Sequence, residues 1–163
     1  MDVMEEVGRF SAADIAAFDK EKAEDNVVPT GKYEGTVFSW NEIPEDKKSD
    51  SDLYKGYTVY KVGVKCYDVG EVGKTKTAWV KVSGVAVRGP NGRMKAPSAG
   101  GLQLTKAMGM ADAPITDVLD QAKVTRAVYN IEVWEKDNPD AIPGDESTAK
   151  LPGGNWLKVV RAL

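Results

Sequence analysis

The stretch Tyr57-Thr58-Val59-Tyr60-Lys61-Val62-Gly63-Val64-Lys65-Cys66-Tyr67 decides the fold, because its side chains alternate in character from one residue to the next. One face carries Thr58, Tyr60, Val62, Val64 and Cys66. The other face carries Tyr57, Val59, Lys61, Gly63, Lys65 and Tyr67. A period of two is typical of a strand with one buried face. We therefore predict a strand with the first set in the core and a tyrosine–lysine set facing outward.

Four more segments share β-forming character and extend this pattern along the chain: 32–40, 75–88, 126–136 and 156–163. In segment 75–88, Ala78, Val80, Val82 and Ala86 are predicted to face the core, with Trp79 and Lys81 opposite. Gly84 predicts a bulge or bend, as glycines inside strands often do. Polar or glycine-rich loops are predicted at 41–52, 68–73, 89–93 and 137–155, the last as a long, mobile hairpin loop.

Helical signals occupy the remaining segments. Ser11 with Asp14 resembles an N-cap followed by an acidic first turn, so residues 1–28 are predicted to be an acidic arm that is a short helix or partly ordered. The period changes at Gly101, which predicts a helix ending at Gly109 and a second one over about 116–123. A mainly β domain is predicted at 29–163: a five-stranded, OB-fold-like antiparallel barrel with one or two short helices before strand four. An SH3-like barrel and a small sandwich remain alternatives.

The residue inventory excludes several kinds of catalytic and metal site. The 163-residue chain has no histidine, which excludes Ser-His-Asp catalysis and every zinc site containing histidine. One cysteine, Cys66, excludes an internal disulfide and suits a reducing compartment. The longest apolar run, 82–87, is too short to span a membrane, and the acidic first residues do not match a signal peptide. We therefore expect a soluble, intracellular protein.

Charge is unevenly distributed along the chain. The net charge is −3, which by itself argues against a nucleic-acid partner. Residues 1–54, however, carry 14 acidic and 6 basic side chains, whereas residues 55–110 carry 2 acidic and 10 basic ones. Residues 111–163 are again acidic, with 9 acidic and 6 basic side chains. A basic block of this kind is a hint of a polyanionic partner, and a solvated basic face is the alternative interpretation.

Two groups resemble catalytic or metal-binding motifs without matching them. The segment from Asp68 to Lys74-Thr75 ends like a phosphate-binding loop, but it begins with an anion and is followed by a strand pattern instead of a helix. A hairpin turn is the better interpretation. Asp112, Asp117 and Asp120 are close in sequence, and we interpret them as helix N-terminal carboxylates. We expect no catalytic residue, no metal and no cofactor.

Basic residues interleaved with aromatic ones provide the strongest functional signal. Single-stranded nucleic acids bind in positive grooves where bases stack on aromatic rings. The predicted DNA-binding residues are Lys55, Tyr57, Lys61, Lys65, Tyr67, Lys76, Trp79, Lys81, Arg88, Arg93 and Lys95. Trp134 and Trp156 are interpreted as core or rim residues. The alternative is that these aromatic rings pack in the barrel while the lysines are merely solvated.

Five segments together resemble the single-stranded DNA-binding proteins of tailed bacteriophages: 29–37, 57–67, 101–109, 117–119 and 155–158. The likeness spans about residues 29–163. It implies an OB-fold that coats single-stranded DNA, without catalysis and largely independently of sequence, in phage DNA replication, recombination or repair. It also implies the cytoplasm of the bacterial host as the location, and it leaves open homo-oligomers and replication or recombination proteins as partners.

One departure from this family concerns its acidic tail. Many such proteins end in a flexible acidic tail that recruits replication partners, whereas this chain ends in a predicted strand, 159–163. Either the acidic arm replaces that tail or the tail function is absent. The competing hypothesis is a protein-interaction or virion-structural module that docks its basic face on an acidic protein. A small enzyme ranks third, because the chain lacks a convincing nucleophile–base pair.

Overall fold

Five strands and three α-helices make up the described part of the chain. A computed structural model describes residues 8–47, 56–70 and 73–163. The helices are α1 (Ala12–Asp25), α2 (Ala96–Ala107) and α3 (Ile115–Val124). The strands are β1 (Gly31–Glu42), β2 (Val59–Cys66), β3 (Lys76–Ser83), β4 (Ala127–Asp137) and β5 (Lys150–Ala162). Two short 3-10 turns lie at Glu45–Lys47 and Glu146–Thr148.

The strands form one antiparallel sheet in the order β3-β2-β1-β4-β5. β1 is central and pairs with both β2 and β4, which leaves β3 and β5 as the two edges. In the described residues no hydrogen-bonded ladder joins β3 to β5, so the sheet is open, although the two edges lie close together and α2 packs on both. The mainly β class, the five antiparallel strands and the helices before β4 are thus confirmed, whereas closure of the predicted barrel is not observed.

The core lies on one face of the sheet, under α2 and α3. Val62, Val64 and Cys66 of β2 are buried there, as the alternating pattern predicts. Tyr60 is only half-buried, and Thr58 is exposed just ahead of the strand. Val59 had been predicted to face outward, but it is buried in a small separate cluster with Val87 and Ile43. The alternating pattern therefore predicts the buried face correctly from Val62 to Cys66. It fails at the start of the strand, where Val87 and Ile43 cover Val59.

β3 is shorter than predicted, because the chain leaves the sheet at Gly84. A Cβ at Gly84 would lie 2.7 Å from Cγ2 of Ile115, the first residue of α3, so any other residue here would force Ile115 or the chain to shift. Beyond it the alternation is lost: Ala86, predicted in the core, is exposed, and Val87 is buried instead. The predicted bend at Gly84 is confirmed, and the predicted strand over 84–88 is wrong.

Both α2 and β5 begin earlier than predicted. α2 starts at Ala96, with Pro97 in its first turn, and it runs through Gly101, where the sequence pattern predicts its beginning. β5 starts at Lys150, so the loop predicted over 137–155 shrinks to 138–149. The sequence does not predict this part of β5, because the proline and glycines at 152–154 are residue types that are rare in regular strands. They lie where the β4–β5 register shifts, between Trp134 and Glu135.

The N-terminal helix has the predicted cap. Ser11 Oγ accepts a hydrogen bond from the Asp14 amide at 3.1 Å, and the Asp14 carboxylate accepts one from the Ser11 amide at 2.9 Å. These bonds hold the pKa of Asp14 below its ordinary value. α1 packs on β5 and on the Glu146–Thr148 turn. Across the described ranges, no helix combines the length and apolar character needed to cross a membrane.

Candidate nucleic-acid interface

Four of the predicted site residues share the outer face of the β2–β3 pair. In the register of these strands Lys61 lies opposite Lys81, Gly63 opposite Trp79, and Lys65 opposite Thr77. Their neighbours Val62, Val64 and Val80 point into the core, so Lys61, Lys65, Trp79 and Lys81 point away from it. All four are exposed. We call these four residues the outer patch.

Trp79 is the aromatic centre of the outer patch, and its position depends on Gly63. A Cβ at Gly63 would lie 3.0 Å from two ring carbons of Trp79, so the indole rests directly on the glycine backbone. The Lys61 ammonium lies 5.1 Å from the indole centroid, within cation–π range. Trp79 nevertheless remains 40% exposed.

Tyr67 lies at the end of β2 in a more crowded place than the sequence predicted. The Arg126 guanidinium carbon lies 4.3 Å from its ring centroid, and the Lys65 ammonium lies 5.9 Å from it. The Tyr67 hydroxyl is 3.3 Å from the Thr36 hydroxyl, and Arg126 forms a 3.2 Å ion pair with Glu34. The sequence does not single out Arg126, because this residue lies just before β4 and is brought beside Tyr67 only by the β1–β4 pairing.

Four other predicted residues lie away from the outer patch. The Lys76 ammonium donates to the carbonyl of Glu24 at 3.2 Å and so joins β3 to the end of α1. Arg88 donates to the carbonyl of Gly92 at 2.9 Å, across the small hairpin formed by the Arg88–Met94 bridge. Arg93 is exposed on that hairpin, and Lys95 is half-buried just before α2. The predicted DNA-binding residues therefore do not form a single surface. Some lie on the outer face of the sheet, Lys76 contacts the end of α1, and Arg88 and Arg93 lie on a small hairpin.

The last two predicted residues lie ahead of β2. Tyr57 is 47% exposed and precedes the strand on which it had been placed. Lys55 lies outside the described residues.

A groove of about 560 Å³ runs along the seam between the two sheet edges. Three of the four tryptophans in the sequence line it: Trp79 from β3, Trp134 from β4 and Trp156 from β5. Each is about 40% exposed, with values of 40%, 42% and 40%. The other lining residues are Asn26, Lys81, Ala96, Pro97, Gly153, Gly154 and Asn155. We call this the tryptophan groove. Of the two positions that the sequence leaves open for Trp134 and Trp156, core or rim, both residues take the rim.

Neighbouring groups hold Trp134 and Trp156 in place. Trp134 lies on the β5 backbone, since a Cβ at Gly153 would come within 2.1 Å of its ring and one at Gly154 within 2.9 Å. The Trp156 indole N–H donates to the Glu132 carboxylate at 2.8 Å, and Lys158 donates to the same carboxylate at 2.9 Å. The hydrogen bond from Lys158, with that from Trp156, holds the pKa of Glu132 below its ordinary value.

A second groove, of about 370 Å³, borders the outer patch on its other side. Its lining comes from β2 and β3 (Lys61, Trp79, Val80 and Lys81), from the end of β1 (Asn41 and Glu42) and from the segment that follows β1 (Ile43, Pro44 and Lys47). Trp79 and Lys81 line both grooves. The outer patch therefore joins two depressions into one path across the sheet edge.

The two motif-like groups have ordinary structural roles. Val69 donates its amide to the carbonyl of Lys74 at 2.9 Å, and Asp68 accepts a hydrogen bond from the Gly73 amide, also at 2.9 Å. β3 follows this turn, so the predicted hairpin is confirmed. Of the three aspartates interpreted as helix N-terminal, only Asp117 lies in the first turn of α3. Asp112 precedes the helix, and Asp120 lies further along it, where it accepts a hydrogen bond from the Trp40 indole at 3.0 Å. Within the described residues, no three His, Cys, Asp or Glu side chains come together to hold a metal.

The arrangement brings cations and exposed rings onto one continuous surface. Ammonium groups attract phosphates, and an exposed indole accepts a stacked base. No protein-family model, curated protein or solved structure matches the chain. The outer patch and the tryptophan groove are therefore the features that bear on function.

Proposed function

We propose that the chain is a non-catalytic, largely sequence-independent binder of single-stranded DNA. The observation that carries this proposal is the outer patch, where Trp79 lies among Lys61, Lys65 and Lys81 on one exposed sheet face. Single strands bind where cations neutralise the backbone beside aromatic rings that stack bases. A sheet face that carries three lysines and one exposed tryptophan meets both requirements.

The topology supports an OB-type fold for this binder. An OB-fold is a five-stranded, partly open Greek-key barrel that binds oligonucleotides on its strand 2–3 face. Here β1 pairs with both β2 and β4, and the free edges β3 and β5 approach each other under α2. The outer patch occupies the β2–β3 face, where such a fold binds nucleic acid. We propose that this binding serves phage DNA replication, recombination or repair in the cytoplasm of the bacterial host, as the family resemblance implies.

The number of lysines sets the expected strength of the salt effect. Each phosphate neutralised on a single strand contributes about −0.7 to the slope of log K against log salt. Three lysines on three phosphates would give a slope of about −2. Stacking one base on Trp79 adds about 1–3 kcal/mol, which depends much less on salt.

Titration of fluorescein-labelled oligo-dT at two salt concentrations tests the proposal. The double variant Lys61→Gln, Lys65→Gln should bind more weakly and show a slope less negative by about 1.4. Lys106→Gln is the matched control, because it removes a lysine charge far from the proposed site. Lys106 lies ten residues, or about 15 Å, along α2 from Ala96, the first α2 residue that lines the tryptophan groove. If wild-type protein at micromolar concentration leaves the anisotropy of the oligonucleotide unchanged at low salt, the proposal is wrong. Equal binding to polyglutamate would favour the protein-interaction module instead.

A further inference from the structure

We infer that the tryptophan groove is a second base-binding subsite, which continues the path of a single strand from the outer patch over the β3–β5 seam. This inference rests on the proposed function and extends it. The outer patch alone offers Trp79, whereas the groove adds Trp134 and Trp156 from the far edge of the sheet.

The exposure of these indoles is the first argument. Tryptophan is highly buried on average, and contiguous exposed apolar patches usually mark interaction sites. Here three indoles from three strands remain about 40% exposed and line the same groove, with Pro97 on its wall. At about 560 Å³ the groove lies within the range of about 300–1,000 Å³ that is usual for ligand sites.

Both added rings, Trp134 and Trp156, are already held in place without a ligand. Trp134 lies on the backbone of Gly153 and Gly154, and Trp156 is hydrogen-bonded to Glu132. Ordering a side chain on binding costs free energy, so rings that are already fixed retain more of their stacking energy.

Charge and continuity identify the occupant as a nucleic-acid strand. The described residues lining the groove include one cation, Lys81, and no acidic side chain. Glu132, the carboxylate beside Trp156, is engaged by the Lys158 ammonium. Lys81 and Trp79 also belong to the outer patch, so a strand bound there can enter the groove without a break in the surface.

The direct test uses the groove tryptophans as reporters. In the variant Trp40→Phe, Trp79→Phe, the remaining two of the four tryptophans are Trp134 and Trp156. We expect oligo-dT to quench their fluorescence over the same concentration range in which the anisotropy of labelled oligo-dT shows binding. Binding without quenching would overturn the inference while leaving the proposed function standing.

Affinity provides the second test. The variant Trp134→Ala, Trp156→Ala should raise the dissociation constant for a 20-nucleotide oligo-dT at least tenfold, and the milder variant Trp134→Phe, Trp156→Phe should raise it less. Phe18→Ala is the control, since Phe18 is an aromatic residue on α1 with 61% exposure outside the groove. An unchanged affinity in the folded alanine variant, or quenching by a proline-rich peptide and not by oligo-dT, would overturn the inference. Wild-type protein that fails to bind DNA would overturn both proposals.

Discussion

The indole of Trp79 rests on the backbone of Gly63, its direct partner across the β2–β3 pair. A Cβ at position 63 would press against the ring, 3.0 Å from two of its carbons. Trp134 has the same relationship with Gly153 and Gly154 on the β4–β5 pair. In both cases a glycine, although unfavourable for a strand, lets a large ring lie flat against the sheet. The two glycine sites therefore shape the surface that we propose for binding.

Gly63→Ala tests whether this geometry affects binding. The new methyl group would lie 3.0 Å from the ring and 3.2 Å from Cγ2 of Thr77, so the indole must move away from the strand. We expect the affinity for oligo-dT to fall about threefold to tenfold, corresponding to roughly the lower end of the stacking energy. The emission maximum of tryptophan should shift in the free protein. Unchanged emission together with unchanged affinity would show that the ring position does not depend on Gly63.

Two adjacent glycines in α2 provide a matched pair for stability. A Cβ at Gly101 would lie 2.0 Å from the carbonyl oxygen of Ser83, a backbone atom that cannot rotate away. A Cβ at Gly100 would meet the Leu157 side chain at 3.4 Å, an ordinary contact. We expect Gly101→Ala to lower the free energy of unfolding by at least about 2 kcal/mol. Gly100→Ala should leave it unchanged or raise it by up to about 1 kcal/mol.

Urea unfolding of the two variants, followed by circular dichroism, measures this difference. Identical midpoints would mean that α2 can move away from β3 at little cost, which would contradict the close packing described above.

Strand faces could be predicted from the sequence because their signal is local. Val62, Val64, Val80 and Val82 alternate with polar or exposed residues, and a period of two is enough to assign them to the core. The Ser11–Asp14 cap is equally local. The ends of β3 and β5 were less predictable, because they depend on contacts between residues far apart in sequence. β3 ends where Gly84 meets Ile115, and the early part of β5 passes Trp134 at Gly153 and Gly154.

The site was only half predictable for the same reason. Lys61, Lys65, Trp79 and Lys81 lie on two consecutive strands, so one hairpin brings them together. The tryptophan groove, in contrast, combines β3, β4, β5 and the start of α2. The tryptophan at 134 and the glycine pair at 153–154 were visible in the sequence, but only the β4–β5 register shows that they face each other.

Asn155 is expected to matter for stability, because it joins the chain ahead of β1 to β5. Its side-chain oxygen accepts from the Val28 amide at 2.9 Å, and its side-chain nitrogen donates to the Val28 carbonyl at 2.8 Å. Both residues are buried, so removing the amide leaves two backbone groups unpaired. We expect Asn155→Ala to cost at least about 2 kcal/mol of unfolding free energy in a urea titration. Asn41→Ala, at an exposed position in β1, is the control and should cost less than about 0.5 kcal/mol.

Cys66 is expected to be unreactive in the folded protein. Its side chain is fully buried in the core, and burial raises the pKa of the thiol from its ordinary value of 9 to about 12. Because the thiolate is the reactive form, a disulfide reagent at pH 8 should label the native protein at least a hundredfold more slowly than the urea-unfolded chain. Stoichiometric labelling of native protein within the same time as the unfolded chain would contradict this burial.

The same shift predicts how stability depends on pH. The unfolded thiol ionises near pH 9 while the folded one stays neutral, so above pH 9 ionisation stabilises the unfolded state and not the native state. The contribution of Cys66 is therefore fully present below pH 9 and is lost as pH rises from 9 towards 12. Other groups also titrate in this range, so the unfolding free energy of wild type is compared with that of Cys66→Ala, which lacks only the thiol. The stability advantage of wild type over this variant should shrink between pH 8 and pH 10.5, and a constant difference would show that the thiol ionises equally in both states.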